Sequence, residues 1–454
     1  MTSFLETLAS ERLARTASDK GLPAWVKTLR DHAWQTAIAA GLPTTRHESW
    51  KFTSLRPLSA LTAKLPESAP WEFLDDEAMN LLRESLDTAG LNLVFVDGVF
   101  AHDLSGAGPE ADDSLHDAVL IEDLAAALRG PASNTLQGLV AAMDAAKSKL
   151  PVPLAHVAPQ EQTIASLGDS MISEGVMIQI PAGKNLKSAI RMIHVSTGRA
   201  TSGFSRHILS LGAGSTARLT ECYLKNVPSD AQLSQFVTTD VHLSENSRLR
   251  HDRLLGRTGE FHFGATNVVV PAGATYHSLA LNLSARIGRH NITAMITGEG
   301  ADVILDGLTT SRADQVLDTQ SAIDHRVPHT TSRQLYKSLL KETSRSVFSG
   351  KIFVRKNAQK TAAFQQSKSL LLSNDAEVDA KPQLEIEADD VRCSHGATVA
   401  QLNPDEMFYL QSRGIPHAKA EAMLCEAFAA EIWQTAQDPW LEARARTELA
   451  RFFA

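Results

Sequence analysis

A loose internal repeat in the middle of the chain constrains the fold more than any other feature. Turns rich in glycine or asparagine follow apolar, strand-like segments, and their Gly or Asn positions are 183, 214, 246, 273 and 300, which lie 31, 32, 27 and 27 residues apart. Such a period without intervening helices suits the coils of a parallel β-helix, in which each coil buries its inward face against its neighbours. We therefore predict a mainly β protein with a β-helix core, and a β-sandwich is the alternative.

The N-terminal part has a different pattern. Helical spacing of apolar residues over 24–40, followed by Gly41 and Pro43, predicts a helix, and further helices are expected at 76–89, 114–129 and 134–149. Between them, Asp97-Gly98 separates two strand-like runs and predicts a hairpin with a type I′ turn. This part is predicted to be a mixed helical domain over residues 1–155.

The C-terminal part is predicted to be helical. Asn403 is placed as an N-cap, with Pro404 in the first turn, and later helices are expected to begin near Pro416 and Trp440. The apolar face of the second helix is left open between packing on the core and contact with a partner; its residues are Ala420, Met423, Leu424, Ala427, Phe428 and Ile432. We predict a β-helix core over 156–402 and a C-terminal helical domain over 403–454.

Composition excludes several function classes. The formal net charge is −8 and no basic cluster offsets it, which argues against nucleic acid as a partner. The three cysteines are widely separated, so we expect no disulfide framework and a reducing, cytoplasmic location. The N-terminus lacks the apolar segment of a secretory signal, and no apolar run approaches the roughly 20 residues of a membrane span.

Known enzyme motifs are absent or fall in the wrong context. Residues 212–217 match a dinucleotide-binding pattern, but a strand-like run follows where that motif needs a helix, so we interpret them as a β-helix turn. No P-loop sequence occurs, so the chain is not expected to hydrolyse ATP through one. Pro328 lies between His325 and His329 and opposes a helical metal pair, which leaves them as strand or loop residues. We predict that the protein is not an enzyme.

Cys393 and His395 form the one pair of potential soft ligands. In an extended strand, residues i and i+2 point to the same face, so a thiol would lie beside an imidazole. From the residues alone, a structural Cys beside a hydrogen-bonded His is the favoured interpretation, and a metal site is the alternative. Iron–sulfur clusters usually need four thiolates, or two thiolates and two imidazoles, so a cluster here would need ligands from another chain.

Long segments of the chain resemble the SufB/SufD family of iron–sulfur cluster assembly proteins. The resemblance is carried by 370–386 (LLLSNDAEVDAKPQLEI) and 388–399 (ADDVRCSHGATV), and it continues at 408–415, 325–350 and 41–53. SufB-like chains carry Cys where this chain has Ser367, and Glu where it has Gly396. Both differences point to the SufD type, and they remove a thiolate and a carboxylate.

The resemblance implies a right-handed parallel β-helix with helical ends that pairs edge to edge with SufB and docks the ATPase SufC through its C-terminal helices. It places His395, and less strongly Cys393, at the SufB–SufD interface, where His395 would be a tentative metal ligand shared with SufB or a proton carrier. The nascent cluster would form at that interface, ATP would act through SufC, and the chain alone would bind no cofactor. The residues expected to dock a partner are Phe408, Tyr409, Arg413, Gly414, Met423 and Phe428.

Three functions remain to be distinguished. The first is a non-catalytic scaffold subunit, and the second is a SufB-like scaffold that itself holds the cluster, against which Ser367 and Gly396 argue. The third is a β-helical enzyme acting on polysaccharides, which would need a cluster of carboxylates on one face and usually export. The sequence leaves open a homodimer of the isolated chain, the cluster type and flavin binding by the complex.

Overall fold

The structure is a computed structural model that describes residues 3–16, 21–112, 115–151, 158–224, 233–256, 261–436 and 438–453. It is mainly β, with a parallel β-solenoid of about seven turns and helices at both ends. The predicted β-helix core is therefore confirmed. The sandwich alternative is wrong, because strands of successive coils pair in parallel.

The strands of the described residues follow in chain order: β1 Leu91–Val96, β2 Val99–Phe100, β3 Gly106–Ala107, β4 Leu120–Asp123, β5 Val176–Ile180, β6 Ile190–Val195, β7 Ser202–Leu211, β8 Thr216–Tyr223, β9 Ser234–Leu243, β10 Arg248–Leu255, β11 Phe261–Val270, β12 Thr275–Asn282, β13 Ile287–Ile296, β14 Asp302–Ser311, β15 Val316–His325, β16 Thr331–Leu340, β17 Arg345–Val354, β18 Ala362–Leu371, β19 Glu377–Ile386 and β20 Arg392–Ala400.

The α-helices of the described residues are Phe4–Thr16, Ala24–Ala40, Arg56–Ser59, Asp76–Ser85, Leu115–Ala118, Leu124–Arg129, Ser133–Lys147, Thr163–Ser170, Pro404–Ser412, His417–Trp433 and Pro439–Phe453. Within the described ranges, none of them has the length and apolar composition that crossing a membrane would require.

The solenoid has two sheets that face each other. Sheet A is eleven-stranded, with the order β2-β1-β6-β8-β10-β12-β14-β16-β18-β20 and with β3 paired to β1. Sheet B is nine-stranded, with the order β19-β17-β15-β13-β11-β9-β7-β5-β4. Because alternate strands belong to opposite sheets, each coil contributes one strand to each, and apolar side chains from both sheets fill the interior.

A column of left-handed residues forms one corner of the solenoid. All five predicted turn positions have positive φ, from 57° at Asn246 to 73° at Gly300. The Gly183 N–H donates to the carbonyl of Ala213 at 2.8 Å, and the Gly214 N–H donates to that of Glu245 at 3.0 Å, so each turn bonds to the next. His329 and Lys360 continue the column with φ of 57° and 60°. The sequence did not predict these two, because neither residue type favours this conformation.

The two ends of the chain cover opposite outer faces of the solenoid. N-terminal residues, among them Phe4, Leu8 and Trp50, pack on aromatic side chains of sheet B such as Phe236 and Phe263. The C-terminal helices pack on the outer face of sheet A, where Trp433 belongs to one apolar cluster with β6, β8, β10, β12 and β14. Since both outer faces are covered, most strands are buried on both sides.

The N-terminal predictions need two corrections. The helix expected at 76–89 ends at Ser85. The helix expected at 114–129 is interrupted by β4, which pairs with β5, and Asp123 then caps a new helix by accepting the N–H groups of Ala125 and Ala126; residue 114 lies outside the described residues.

The predicted hairpin is confirmed. β1 and β2 pair antiparallel across the turn, in which Asp97 and Gly98 have positive φ, and β1 also pairs in parallel with β6, which places the hairpin in sheet A. The domain boundary near residue 155 stays a prediction, because β1 and β4 precede it in the chain.

The C-terminal helices begin where the sequence predicted. Asn403 caps the first by accepting the N–H of Asp405 at 2.9 Å, and the second begins at His417. The predicted apolar face of the second helix is only partly buried, since Met423 is 42% exposed. The residues that it buries are Ala420, Cys425, Ala429, Ile432 and Trp433.

Candidate functional site

The last coil of the solenoid leaves two strand edges open. β19 is the end strand of sheet B and β20 is the end strand of sheet A, and each pairs with one neighbour only among the described residues, β17 and β18 respectively. All residues of β20 except Cys393 are exposed. This open end offers unpaired backbone groups to another chain.

The backbone of β20 presents a continuous row of such groups. The Arg392 N–H donates to the carbonyl of Thr361 at 2.9 Å, so Arg392 bonds inward to the neighbouring coil. Successive residues of a parallel strand direct their backbone N–H and C=O groups to opposite sides of the strand. The N–H and C=O groups of residues 393, 395, 397 and 399 therefore point to the open edge. Cys393 and His395 therefore lie in that row.

The row on β19 is interrupted. Glu377 donates its N–H to the carbonyl of Ser344, and Glu387 donates to that of Val354, at 2.9 and 2.8 Å. The same alternation directs residues 378, 380, 382, 384 and 386 outward, and Pro382 has no N–H to offer. Of the two edges, β20 is the better acceptor of an added strand.

Cys393 and His395 share a face of β20, as the sequence predicted. They pair in register with Ala363 and Gln365 of β18, whose side chains point into the solenoid. Cys393 is half-buried against the apolar core, and burial raises the pKa of its thiol. His395 is exposed, and its imidazole has no hydrogen-bond or ion-pair partner among the described residues.

The donor groups at this end are few. Ser367 lies one coil below, in register with Ala397, and is 3% exposed. Within the described ranges, no three His, Cys, Asp or Glu residues gather closely enough to hold a metal ion. One thiol and one imidazole remain at the edge, so a cluster bound there needs ligands from a second chain.

Most of the predicted docking residues are exposed on the C-terminal helices, and we call them together the exposed patch. Phe408 is 72% exposed, Tyr409 58% and Met423 42%. Arg413 and Gly414 are also exposed, and the Arg413 guanidinium lies 5.3 Å from the centre of the Tyr409 ring. Phe428 differs, because it is half-buried and the Lys337 ammonium lies 4.3 Å above its ring. Phe428 therefore packs on the solenoid.

Two further motif interpretations are confirmed. Residues 212–215 form a turn between β7 and β8, so the dinucleotide-like pattern is a solenoid corner. His325 ends β15 with its ring nitrogens 2.7 Å from Thr330 Oγ1 and 2.9 Å from Ser332 Oγ, while His329 lies in the next corner. These two histidines have structural roles.

A buried polar network inside the solenoid was not predicted. Glu221 Oε1 lies 2.9 Å from His251 Nε2 and accepts the Thr239 hydroxyl at 2.5 Å, and the other ring nitrogen of His251 lies 2.9 Å from the Tyr276 hydroxyl. Burial alone would raise the pKa of Glu221, but its bond to His251 and the surrounding groups hold that pKa well below its usual value. The sequence gives only a weak signal for this network, because strands that are buried on both faces do not show alternating apolar and polar residues.

Buried histidines predict that the protein loses stability in mild acid. Burial lowers their pKa, to about 4 for His207 and for His325. The unfolded chain, with histidine pKa values of about 6.5, then binds more protons between pH 6.5 and 4, so this stabilisation is complete above pH 6.5 and is lost as the pH falls. Asp252 has the opposite effect on stability. Burial raises its pKa to about 6, so its contribution becomes more favourable as the pH falls. The histidines with lowered pKa values include His194, His207, His262, His290 and His325.

We expect the urea midpoint to fall steadily from pH 7 to pH 5. The measurement is urea unfolding followed by circular dichroism at fixed ionic strength. A midpoint that stays constant over this range would contradict neutral buried histidines.

Comparisons with known proteins find relatives over most of the chain. A family model described as "SUF system FeS cluster assembly, SufBD core domain" matches residues 194–428, more than half of the chain. The Escherichia coli iron–sulfur cluster assembly protein SufD is 30% identical over 90% of this chain and 88% of its own. A SufBD family protein of Synechocystis is 30% identical over 86% and 83%, and SufD of Bacillus subtilis is 24% identical over 60% and 62%.

Proposed function

Because the chain belongs to the SufB/SufD family of iron–sulfur cluster assembly proteins and matches its SufD members, we propose that it is a non-catalytic scaffold subunit that pairs with a SufB-type chain and docks the ATPase SufC. The observation that carries the proposal is the open edge of β20, with His395 and Cys393 in a row of free backbone donors and acceptors. We place its action in the cytoplasm.

Pairing by strand addition follows from the chemistry of that edge. Four residues of β20, 393, 395, 397 and 399, direct backbone groups outward without side chains or helices covering them. A partner strand would satisfy these groups and cover the end of the apolar core beneath Cys393. In the absence of a SufB-type chain, a second copy of this chain could use the same edge, so the isolated protein is expected to form a homodimer at high concentration.

His395 is the residue proposed to act in cluster assembly at this interface. Its imidazole is exposed in the free chain and would become enclosed between the two subunits, either as a ligand of the nascent cluster or as a proton carrier. Iron and sulfide are the cargo of this reaction, and the partner would supply the thiolates that this chain lacks. Cys393 is the weaker candidate, since its thiol is half-buried and protonated at neutral pH.

SufC docking is assigned to the exposed patch of the C-terminal helices. Phe408, Tyr409 and Met423 offer apolar surface on two successive helices, next to the exposed Arg413. An ATPase bound to these helices would contact a different element from the SufB-type chain, which would pair with β20, so we propose that both partners bind together. ATP turnover would then move the two solenoids relative to each other.

Co-purification tests the proposal. The tagged chain, co-expressed with a SufB-type chain and with SufC, is expected to retain both partners through affinity and size-exclusion steps. Recovery of the chain without either partner would refute the scaffold function. In the assembled complex, His395→Ala is expected to lower cluster formation measured by absorbance and by iron and sulfide content, while undiminished formation would make His395 structural.

A proline on β20 tests pairing through that edge. The N–H of residue 397 points outward, so Ala397→Pro removes one donor of the open row while the bonds between β18 and β20 remain. We expect the affinity for the SufB-type chain to fall roughly tenfold or more. The measurement is co-purification together with binding by surface plasmon resonance.

The matched control is Ala397→Ser, which keeps the N–H and should bind normally. Circular dichroism should report the same fold for both variants, because β19 already accommodates Pro382 at an edge. Normal binding by the proline variant would show that the partner does not add a strand along β20.

A further inference from the structure

A buried glutamine lies directly below His395. Gln365 of β18 pairs in register with His395 of β20, and Gln334 of β16 pairs with Gln365, so the three side chains form a column along the inner face of sheet A. Gln365 and Gln334 are each 1% exposed. The column therefore runs from the interior to the open end of the solenoid.

Gln365 is unusual because its amide is buried without a partner. Neither its nitrogen nor its oxygen has a hydrogen-bond partner among the described residues. Exchanging the positions of the two atoms would therefore still leave the amide without a partner. Gln334 differs, since its oxygen accepts the Ser321 hydroxyl at 2.7 Å. A buried amide that bonds to nothing destabilises a fold, which makes a role outside packing the better explanation for Gln365.

Gly350 provides the space that this amide occupies. A Cβ at Gly350 of β17 would lie 2.1 Å from Gln365 Nε2 and 2.7 Å from the tip of the Phe348 ring. The amide thus reaches across the interior between the two sheets. Adjacent strands are about 4.8 Å apart, so a rotation of side-chain torsions brings the amide within hydrogen-bonding reach of the imidazole one strand above.

Among the described side chains that face inward near His395, none carries a charge. The described inward-facing residues around it are Ala363, Gln365 and Ser367 on β18, Ala380, Pro382 and Leu384 on β19, and Cys393 and Ala397 on β20. Cys393 is the other titratable group in this set, and its thiol is protonated at neutral pH. The group that selects the tautomer of the imidazole at this end is thus a neutral hydrogen-bonding group, and Gln365 is the one in register with His395.

We propose that Gln365 is the positioning residue of His395: its amide oxygen accepts the N–H of one imidazole nitrogen and leaves the lone pair of the other nitrogen directed at the open edge. This inference rests on the proposed function of His395. When a partner strand covers the edge, both groups lose access to water, and each satisfies the other. A histidine that binds metal or relays a proton generally needs such a bond to fix its tautomer.

The test uses the assembled complex, in which only this chain carries isotope-labelled histidine. The imidazole resonances of His395 are assigned by comparison with His395→Gln. In the wild type we expect one tautomer to dominate, and in Gln365→Leu a mixture of both. Gln334→Leu, one coil deeper, is the matched control and should leave the His395 resonances unchanged.

Stability separates positioning from packing. Gln365→Leu removes an unpartnered buried amide, so its melting temperature should equal or exceed that of the wild type, and Gln365→Met serves if the branched side chain disturbs the core. In the assembled complex, Gln365→Leu should slow cluster formation roughly tenfold while co-purification with the partners stays normal. Loss of stability with normal cluster formation would show a packing role.

Different results would overturn the positioning role of Gln365 and the proposed function of the chain. An unchanged tautomer ratio of His395 in Gln365→Leu would overturn the positioning role, even if the wild-type complex assembles clusters. A wild-type chain that binds neither partner would overturn the proposed function, whatever the state of the imidazole.

Discussion

Replacing Arg191 with methionine is expected to destabilise the protein by about 3–5 kcal/mol and to loosen the C-terminal helices. Arg191 is 3% exposed on the outer face of β6, and its guanidinium bonds to both carboxylate oxygens of Asp438, at 2.7 and 3.1 Å, and to Asp87 at 2.9 Å. The Trp440 ring lies 4.6 Å from it. Without the arginine, Asp438 would stay buried as an unpaired charge, which is the costly part of breaking such a pair.

This arginine joins parts of the chain that are far apart in sequence. Asp438 also accepts the N–H groups of Trp440 and Leu441 at the start of the last helix, so the ion pair connects sheet A to the helix Pro439–Phe453. We therefore expect two readouts in the Arg191→Met variant: a lower urea midpoint and faster cleavage by trypsin within residues 404–453. Because these helices carry the proposed SufC surface, SufC binding should weaken as well.

Arg446, an exposed arginine on the helix Pro439–Phe453, provides the control for Arg191→Met. Arg446 pairs with Glu442 and Glu426, and its side chain is 45% exposed. Arg446→Met should change the free energy of unfolding by less than about 1 kcal/mol, because water screens such pairs. Equal losses in the free energy of unfolding of the two variants would show that the buried ion pair contributes no more to stability than the exposed one.

The second large effect is expected from Gly298→Ala. Gly298 precedes the corner that contains Gly300, and a Cβ there would lie 2.0 Å from the backbone nitrogen of Ala272 in the preceding coil. Backbone cannot move aside as a flexible side chain can, so the two coils would have to separate. We expect a loss of about 4 kcal/mol or more in the free energy of unfolding, measured in urea.

Two other glycines separate this steric effect from the general cost of replacing glycine. Gly214 has φ of +66°, and a Cβ added to it would meet no atom within 4 Å, so Gly214→Ala should cost about 1–2 kcal/mol through its left-handed backbone. Gly138 lies in the helix Ser133–Lys147 with equally open surroundings, and Gly138→Ala should stabilise by up to about 1 kcal/mol. If Gly298→Ala cost no more than Gly214→Ala, close contact between coils would not explain the glycine.

Gly298 also illustrates what local sequence can reveal. Three other coils hold Ser244, Pro271 and Ala358 at the equivalent corner position, so the repeat itself does not mark the close approach of two coils at Gly298. The left-handed positions two residues later were predicted where they are Gly or Asn. His329 and Lys360 adopt the same conformation and were missed, since the coil above and below holds them there.

The sequence by itself determined the coil period, the turns at Gly183 through Gly300, the helical ends and the shared face of Cys393 and His395. Each of these depends on residues a few positions apart, through turn propensity, capping or strand alternation. The tertiary structure decided that β20 ends a sheet with an open edge, that Gln365 lies below His395, and that Glu221 meets His251 from 30 residues away. Those contacts depend on the register between coils, which is set by the lengths of whole coils and by packing on both faces of the sheets, and local pattern does not encode it.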